Sequence, residues 1–345
     1  MKIRRRSGRP TAGNIDEDCN DKNGKNSLFD SDCGYYHQII YPLLVSGSEK
    51  YLICWLKTIH LIKSKQTCSK KMASGVCNSP MSLIDSKGPD FLQWKCKMCS
   101  KKKSIRDDSI FNGLRCNFKD AIRIILAWCK GYHVDDVANM LSLNNSVIEE
   151  LYIRAASLAE KCMKSNIGDW QIGGPGVIVI VDTYPEGCTN TNMIRMTRPI
   201  LCISEVKSIP QKYWLEALDR FAYHDTEHIN SLKQRILRTI RAVVRPGSII
   251  VTPVRSTLCS HSDFQSLATI YPTIVSVDVL AKHNNDHQNV FTNMETIWKQ
   301  VLDICEEAQF YCSSYIDLFV VSHMWRAVYG NEAFERLLFQ ISAMQ

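Results

Sequence analysis

Cys96-Lys97-Met98-Cys99 places two thiols at the spacing of a metal knuckle, and Cys68 and Cys77 lie upstream with eight residues between them. A structural zinc ion takes four soft ligands in a tetrahedron, usually as two close pairs. The second pair has that spacing. The first is wide, because Ser74 stands where a cysteine would complete a second tight pair, so a loop must return Cys68 to Cys77. Cys54 and Cys116 are the alternative ligands. The expectation is zinc on Cys68, Cys77, Cys96 and Cys99. Residues 67–110, rich in Cys, Lys, Ser and Gly, hold too little apolar material to fold without it.

A second chemical feature is an acid at a strand end. Gly173-Gly174-Pro175-Gly176 leads into Val177-Ile178-Val179-Ile180-Val181 and then Asp182. An unbroken β-branched run reads as a buried central strand. A carboxylate leaving such a strand can hold a divalent metal only if other carboxylates join it, since Mg²⁺ requires near-octahedral oxygen coordination.

The basic residues are bunched. Lys95, Lys97, Lys101, Lys102, Lys103 and Arg106 surround the CxxC pair, and Arg4, Arg5, Arg6 and Arg9 form an N-terminal arm around Gly8-Arg9-Pro10. With a net charge of +7, both groups suit a phosphate backbone. The arm is similar to an AT-hook and also reads as a nuclear-localisation cluster. Arg238, Arg241 and Arg245 line one helical face and read as its solvated side.

These residues need a scaffold. A chain of 345 residues holds roughly two or three domains. The start of the chain lacks the apolar stretch of a signal peptide, and the apolar runs at 177–181 and 318–321 are too short to span a bilayer. The 15 cysteines are odd in number and come without a secretory signal, which points to thiols in an intracellular protein. Residues 1–35 read as a disordered polar arm, 36–112 as a helical lead-in with the cysteine segment, and 113–168 as helices. In the last of these, Phe118, Ile122, Ile125, Leu126 and Cys129 share a face. A turn at Gly131, a short helix at 134–141 and a third helix capped at Asn144–Ser146 then make a helix-turn-helix pattern. Beyond 169 the pattern is α/β: strands at 177–182, 199–206, 213–222, 248–252 and 273–279, helices at 229–244, 295–309 and 331–343.

Several motifs fall in a fixed order. They are Cys77-Asn78-Ser79-Pro80, Trp94-Lys95-Cys96, Ile172-Gly173-Gly174-Pro175-Gly176, Val179-Ile180-Val181-Asp182, Arg245-Pro246-Gly247-Ser248-Ile249-Ile250, Glu295-Thr296-Ile297-Trp298 and Trp325-Arg326. Over roughly residues 50–342 the series resembles the Merlin-type DDE transposases of animals and their bacterial insertion-sequence relatives. The resemblance implies a zinc ribbon and helix-turn-helix that bind DNA, followed by an RNase H-like mixed sheet with flanking helices. There, three acids hold two divalent metals for strand transfer. Asp182 and Glu295 occupy two of the acidic positions. The third, an aspartate after Pro-Gly-Ser-x-Ile-Ile-Ser, is Pro253 here, and the family's Lys- and Arg-rich segment after the first acid is unmatched in 184–198. Asp263 and Asp278, placed at the end of strand 273–277, are the acids that could stand in.

The expectation is therefore a domesticated, transposase-derived nuclear protein. It carries no catalytic activity, keeps structural zinc without catalytic Mg²⁺, and acts on DNA or chromatin. Alternatives are a protein-interaction scaffold or homodimer built on the RNase H-like core, and an active metal-dependent transposase.

Overall fold

The computed structural model describes residues 34–344, except 46, 74, 89, 185–197, 207–211, 223, 255, 283–287 and 311–314, together with the side chains of 280–282, 288–295 and 297. The N-terminal arm, with Arg4, Arg5, Arg6 and Arg9, lies outside the described residues. The protein is mixed α/β and divides into two compact units. One is Glu160–Val328; the other runs to Ala159 and includes Tyr329–Gln345. The C-terminal helix Ala333–Ala343 thus belongs with the N-terminal elements, not with the α/β unit that the pattern beyond 169 suggests.

In that first-named unit, β6 (Ile178–Tyr184), β7 (Ile200–Glu205) and β8 (Tyr213–Ala217) form an antiparallel meander. Helix α5 (Thr226–Val243) then returns the chain to β9 (Ile249–Thr252), which runs parallel to β6 on its free side, and β10 (Thr273–Ser276) runs parallel to β9. The five-stranded order is β10-β9-β6-β7-β8, so β6 is the central strand that its β-branched run requires. Helices α6 (Val277–Lys282), α7 (Gln288–Ala308) and α8 (Ile316–Tyr329) follow. Trp298 of α7 packs against Ile180 and Val251 of the sheet. Trp325 of α8 is fully buried and stacks on Trp170 at 5.9 Å between ring centroids.

The outer edge of β8 is closed by side chains. Met324 Sδ accepts the Leu215 backbone N–H at 3.1 Å, and the guanidinium groups of Arg198 and Arg235 donate to the Ala217 carbonyl at 3.2 and 3.3 Å.

The glycine-rich turn fixes the entry to β6. Gly173 has φ +78°, and a Cβ there would lie 2.4 Å from Ser248 Oγ and 2.9 Å from Val179 Cγ2. That hydroxyl is committed: it accepts the Gly174 N–H at 2.9 Å and donates to the Arg245 carbonyl at 2.7 Å. The Gly173 N–H meets the buried Glu205 carboxylate at 2.9 Å. Left-handed strain and overpacking together set the expected cost of Gly173→Ala at about 3 kcal/mol. Gly113→Ala carries similar strain (φ +75°) in open space, so its shift in urea midpoint should be well below half as large. Equal shifts would remove the close-packing argument.

The other unit begins with a short helical lead-in, whose Tyr36 meets Phe334 edge-on, and α1 (Glu49–Thr58), N-capped by Ser48. Two small sheets follow: the hairpin β1 (Lys71–Met72) and β2 (Gly75–Val76), then the antiparallel β3 (Met81–Asp85), β4 (Leu92–Cys96) and β5 (Lys102–Ser104). Helix α2 (Phe118–Lys130) is capped by Asn117 and stopped by Gly131 in the left-handed region. It buries Ala121, Ile124, Ala127 and Trp128 as well as the stripe read from sequence, so it is a core helix. After α3 (Val134–Leu141) and a turn at 142–144, α4 (Asn145–Ser165) carries the chain toward the α/β unit. Helix α9 (Ala333–Ala343) buries Phe334, Leu337 and Leu338. Among the described residues no helix is long and apolar enough to cross a membrane.

Candidate metal centre and strand-end carboxylate

The sulfur atoms of Cys68, Cys77, Cys96 and Cys99 all lie within 4.8 Å of one another and could hold a metal ion. Cys68 and Cys99 are 3.4 Å apart at sulfur, Cys77 and Cys96 3.7 Å. A tetrahedron with metal–sulfur bonds of about 2.3 Å has edges of about 3.8 Å, so the cluster needs only small adjustments to close on an ion. Cys54 and Cys116 do not join it.

The wide first pair is explained by the β1–β2 hairpin. Cys77 N–H bonds to the Lys70 carbonyl at 2.9 Å, and Cys68 and Ser79 are joined by a 2.9 Å bond from Cys68 N–H. The intervening residues fold out as a hairpin, and the two cysteines end up side by side. In the second pair the strands β4 and β5 do the same work, with Cys96 N–H on the Lys101 carbonyl at 2.9 Å. Each pair is followed by a residue in the left-handed region: Asn78 (φ 48°) after Cys77 and Ser100 (φ 56°) after Cys99. The two halves are built alike, and Asn at the first such position was the available sequence signal.

The Cys99 backbone N–H, and then that of Met98, hold the Cys96 thiol down to about 6 despite its burial. At Cys68 the Lys70 backbone N–H pulls downward, but burial and the neighbouring thiols outweigh it and push the group up to about 11. Cys96 is the one thiol held toward the anion, the form that binds metal, while Cys68 and Cys77 are pushed the other way and would give up their protons to a bound ion.

Around this centre the basic residues separate into two kinds. Lys97, Lys101 and Lys102 are exposed, Lys95 and Lys103 half-buried, and none of the five has a carboxylate within ion-pair distance among the described residues. Lys95 and Lys102 are direct cross-strand partners. Like charges facing each other destabilise a sheet, and a bound polyanion would relieve them. Lys70 and Lys71 on the hairpin are exposed as well, and Lys103, paired with Trp94, is on the face of the sheet opposite to Lys95 and Lys102. Arg106 does not belong to it. It is 4% exposed; its Nε donates to Asp90 at 2.7 Å, a second nitrogen pairs with the same carboxylate, a third donates to the Leu114 carbonyl, and the group lies over the Phe118 ring. Every face of the guanidinium is used internally.

The surface at the start of α3 and α4 has the opposite sign. Asp135 and Asp136 are exposed at the start of α3, and Glu149 and Glu150 follow the first turn of α4. Arg154 is occupied by Glu150 and the Ile110 carbonyl.

In the α/β unit, Asp182 is buried in β6, and its Oδ1 accepts the Thr183 N–H at 2.7 Å. Burial, followed by the Asp182 charge, pushes the thiol of Cys259 well above its usual range. The β6–β9 ladder ends with Ile180 beside Val251, two residues before Asp182 and Pro253; Pro253 follows the end of β9 and is buried. Thr252 meets His261 Nδ1 at 3.2 Å. Asp263 bonds Lys233 at 2.8 Å and caps the turn at Ser260. Asp278 is not at a strand end: β10 stops at Ser276, whose Oγ accepts the Val279 N–H, and Asp278 sits exposed in the first turn of α6. Glu295 lies in α7, one turn before Trp298, and its side chain lies outside the described residues. Among the described residues the four cysteines are the one group arranged to hold a metal.

No protein-family model, no curated protein and no solved structure matches the chain.

Proposed function

We propose that this is a transposase-derived DNA-binding protein of Merlin-type ancestry, with a zinc ribbon that grips DNA and an RNase H-like core that no longer cuts it. The observation that carries the DNA reading is the set of unpaired lysines on the cysteine-clamped sheet, with Lys95 and Lys102 face to face. Zinc suits four thiolates at these separations; bound there it would lock the hairpin and the three-stranded sheet together. The lysines then lie on a fixed surface and meet phosphates without ordering a loop first. The acidic helix-turn-helix face contributes little attraction, so the ribbon dominates the contact. The RNase H-like part is supported by the sheet, in which three antiparallel strands lead and two return parallel beside the first. Loss of cutting is supported by Pro253, which stands at the position where the resemblance places the second acid, since proline cannot ligate a metal. Nuclear action on chromatin goes with the DNA reading.

The test is the salt dependence of binding to duplex DNA, followed by anisotropy with the full chain. Replacing Lys97, Lys101 and Lys102 together by glutamine should lower the slope of log K against log salt by about 3, near 0.9 for each phosphate contact. Undetectable or salt-insensitive binding would favour the scaffold reading instead. Strand cleavage in Mg²⁺ or Mn²⁺ that disappears in Asp182→Ala would sink the inactive-core reading while leaving DNA binding intact.

A further inference from the structure

A cavity of about 450 Å³ opens in the α/β unit between the end of α4, strand β8, and helices α5 and α8. That size is ordinary for a small-molecule site. Met163, Val320 and Met324 give it apolar walls, and its charged lining residues are almost all neutralised in place. Lys164 pairs with Glu160, Arg235 with Glu216 at 2.7 Å, and Asp317 with Arg198. Arg238 is the exception: it is exposed, its Nε reaches only the Gln234 backbone carbonyl at 3.3 Å, and it has no carboxylate partner among the described residues.

Trp214, one of its walls, is 8% exposed, and its indole N–H meets no acceptor among the described residues. Buried tryptophans normally bond that group, and leaving it unmade is costly.

We propose that this cavity binds a small apolar carboxylate: an aliphatic or aromatic body against the methionine and valine walls, with a carboxylate at the Arg238 rim. One excess cation beside apolar walls selects a monoanion over a polyphosphate, which would need several. The site is separate from the metal centre and does not depend on the DNA reading.

Titration calorimetry of the full chain with decanoate and with decanol tests it. Saturable decanoate binding is expected, about tenfold tighter than decanol, as one charge-assisted contact would give. Arg238→Gln should bring decanoate down to the level of decanol. Ala242→Phe, at a half-buried lining position, should fill the cavity and abolish binding of both. Absence of saturable decanoate binding, equal affinity for the two probes, or an unchanged preference in Arg238→Gln would each overturn the proposal. Because Arg238 is exposed, that variant keeps the test valid even if Ala242→Phe disturbs folding.

Discussion

Cys96→Ser, or removal of metal by a chelator, is expected to unfold residues 67–106 and abolish DNA binding while the α/β unit stays folded. Apart from Ile105 and the Arg106–Asp90 pair at its end, the segment has little else to hold it. Strands β1 and β2 are exposed along their length, and β3 to β5 bury only Met81, Trp94 and Cys96. Structural zinc contributes about 10–16 kcal/mol in small domains, far more than three short strands can replace. Purified protein should carry one zinc per chain and Cys96→Ser essentially none. Limited proteolysis should then cut within 67–106 and spare Glu160–Val328. Because the bound form needs thiolates, metal affinity should also fall as pH is lowered. A Cys96→Ser protein that keeps its protease resistance and DNA affinity would show that the cysteines are merely neighbours.

The second large effect concerns Arg106. Removing one member of a buried ion pair leaves the other charge unpaired, at a cost of about 3–5 kcal/mol. The Arg106 and Asp90 side chains are 5% and 11% exposed, so Arg106→Gln should lower the urea midpoint strongly. Replacing both, Arg106→Gln with Asp90→Asn, should recover a large part of the loss, because no ion is then left stranded. Under conditions where the single variant is folded, its salt slope for DNA should equal that of the unsubstituted chain. A slope lowered by about 1 without a stability change would return Arg106 to the phosphate-binding set.

What could be read from the sequence was local periodicity and close spacing. The Cys96–Cys99 pair, the central strand and helix α5 follow directly from such patterns, although the strand does not end at Asp182 as expected but runs on to Tyr184, with Asp182 paired to Cys202 inside the sheet. The union of Cys68 with Cys77 was expected as a loop returning one to the other; that the loop is a hairpin was not, because spacing alone does not record pairing across its width. Helix α8 escaped for a different reason: Phe319, Val320, Val321, Ser322, Met324 and Trp325 are all buried, so no polar face marks its period. The fate of α9 and of Arg106 depended on what each would meet after folding. A basic residue beside lysines looks like one of them until Asp90 and Phe118 close on it.

The sealed rim of β8 bears on how the chain could assemble. With the Leu215 N–H and the Ala217 carbonyl already taken, a foreign strand meets two spent ladder groups there, and among the described residues β10 is the other border of the five-stranded sheet. A sheet that can grow from one border only cannot propagate into a fibre. Copies meeting through β10 would close into a two-fold pair and stop.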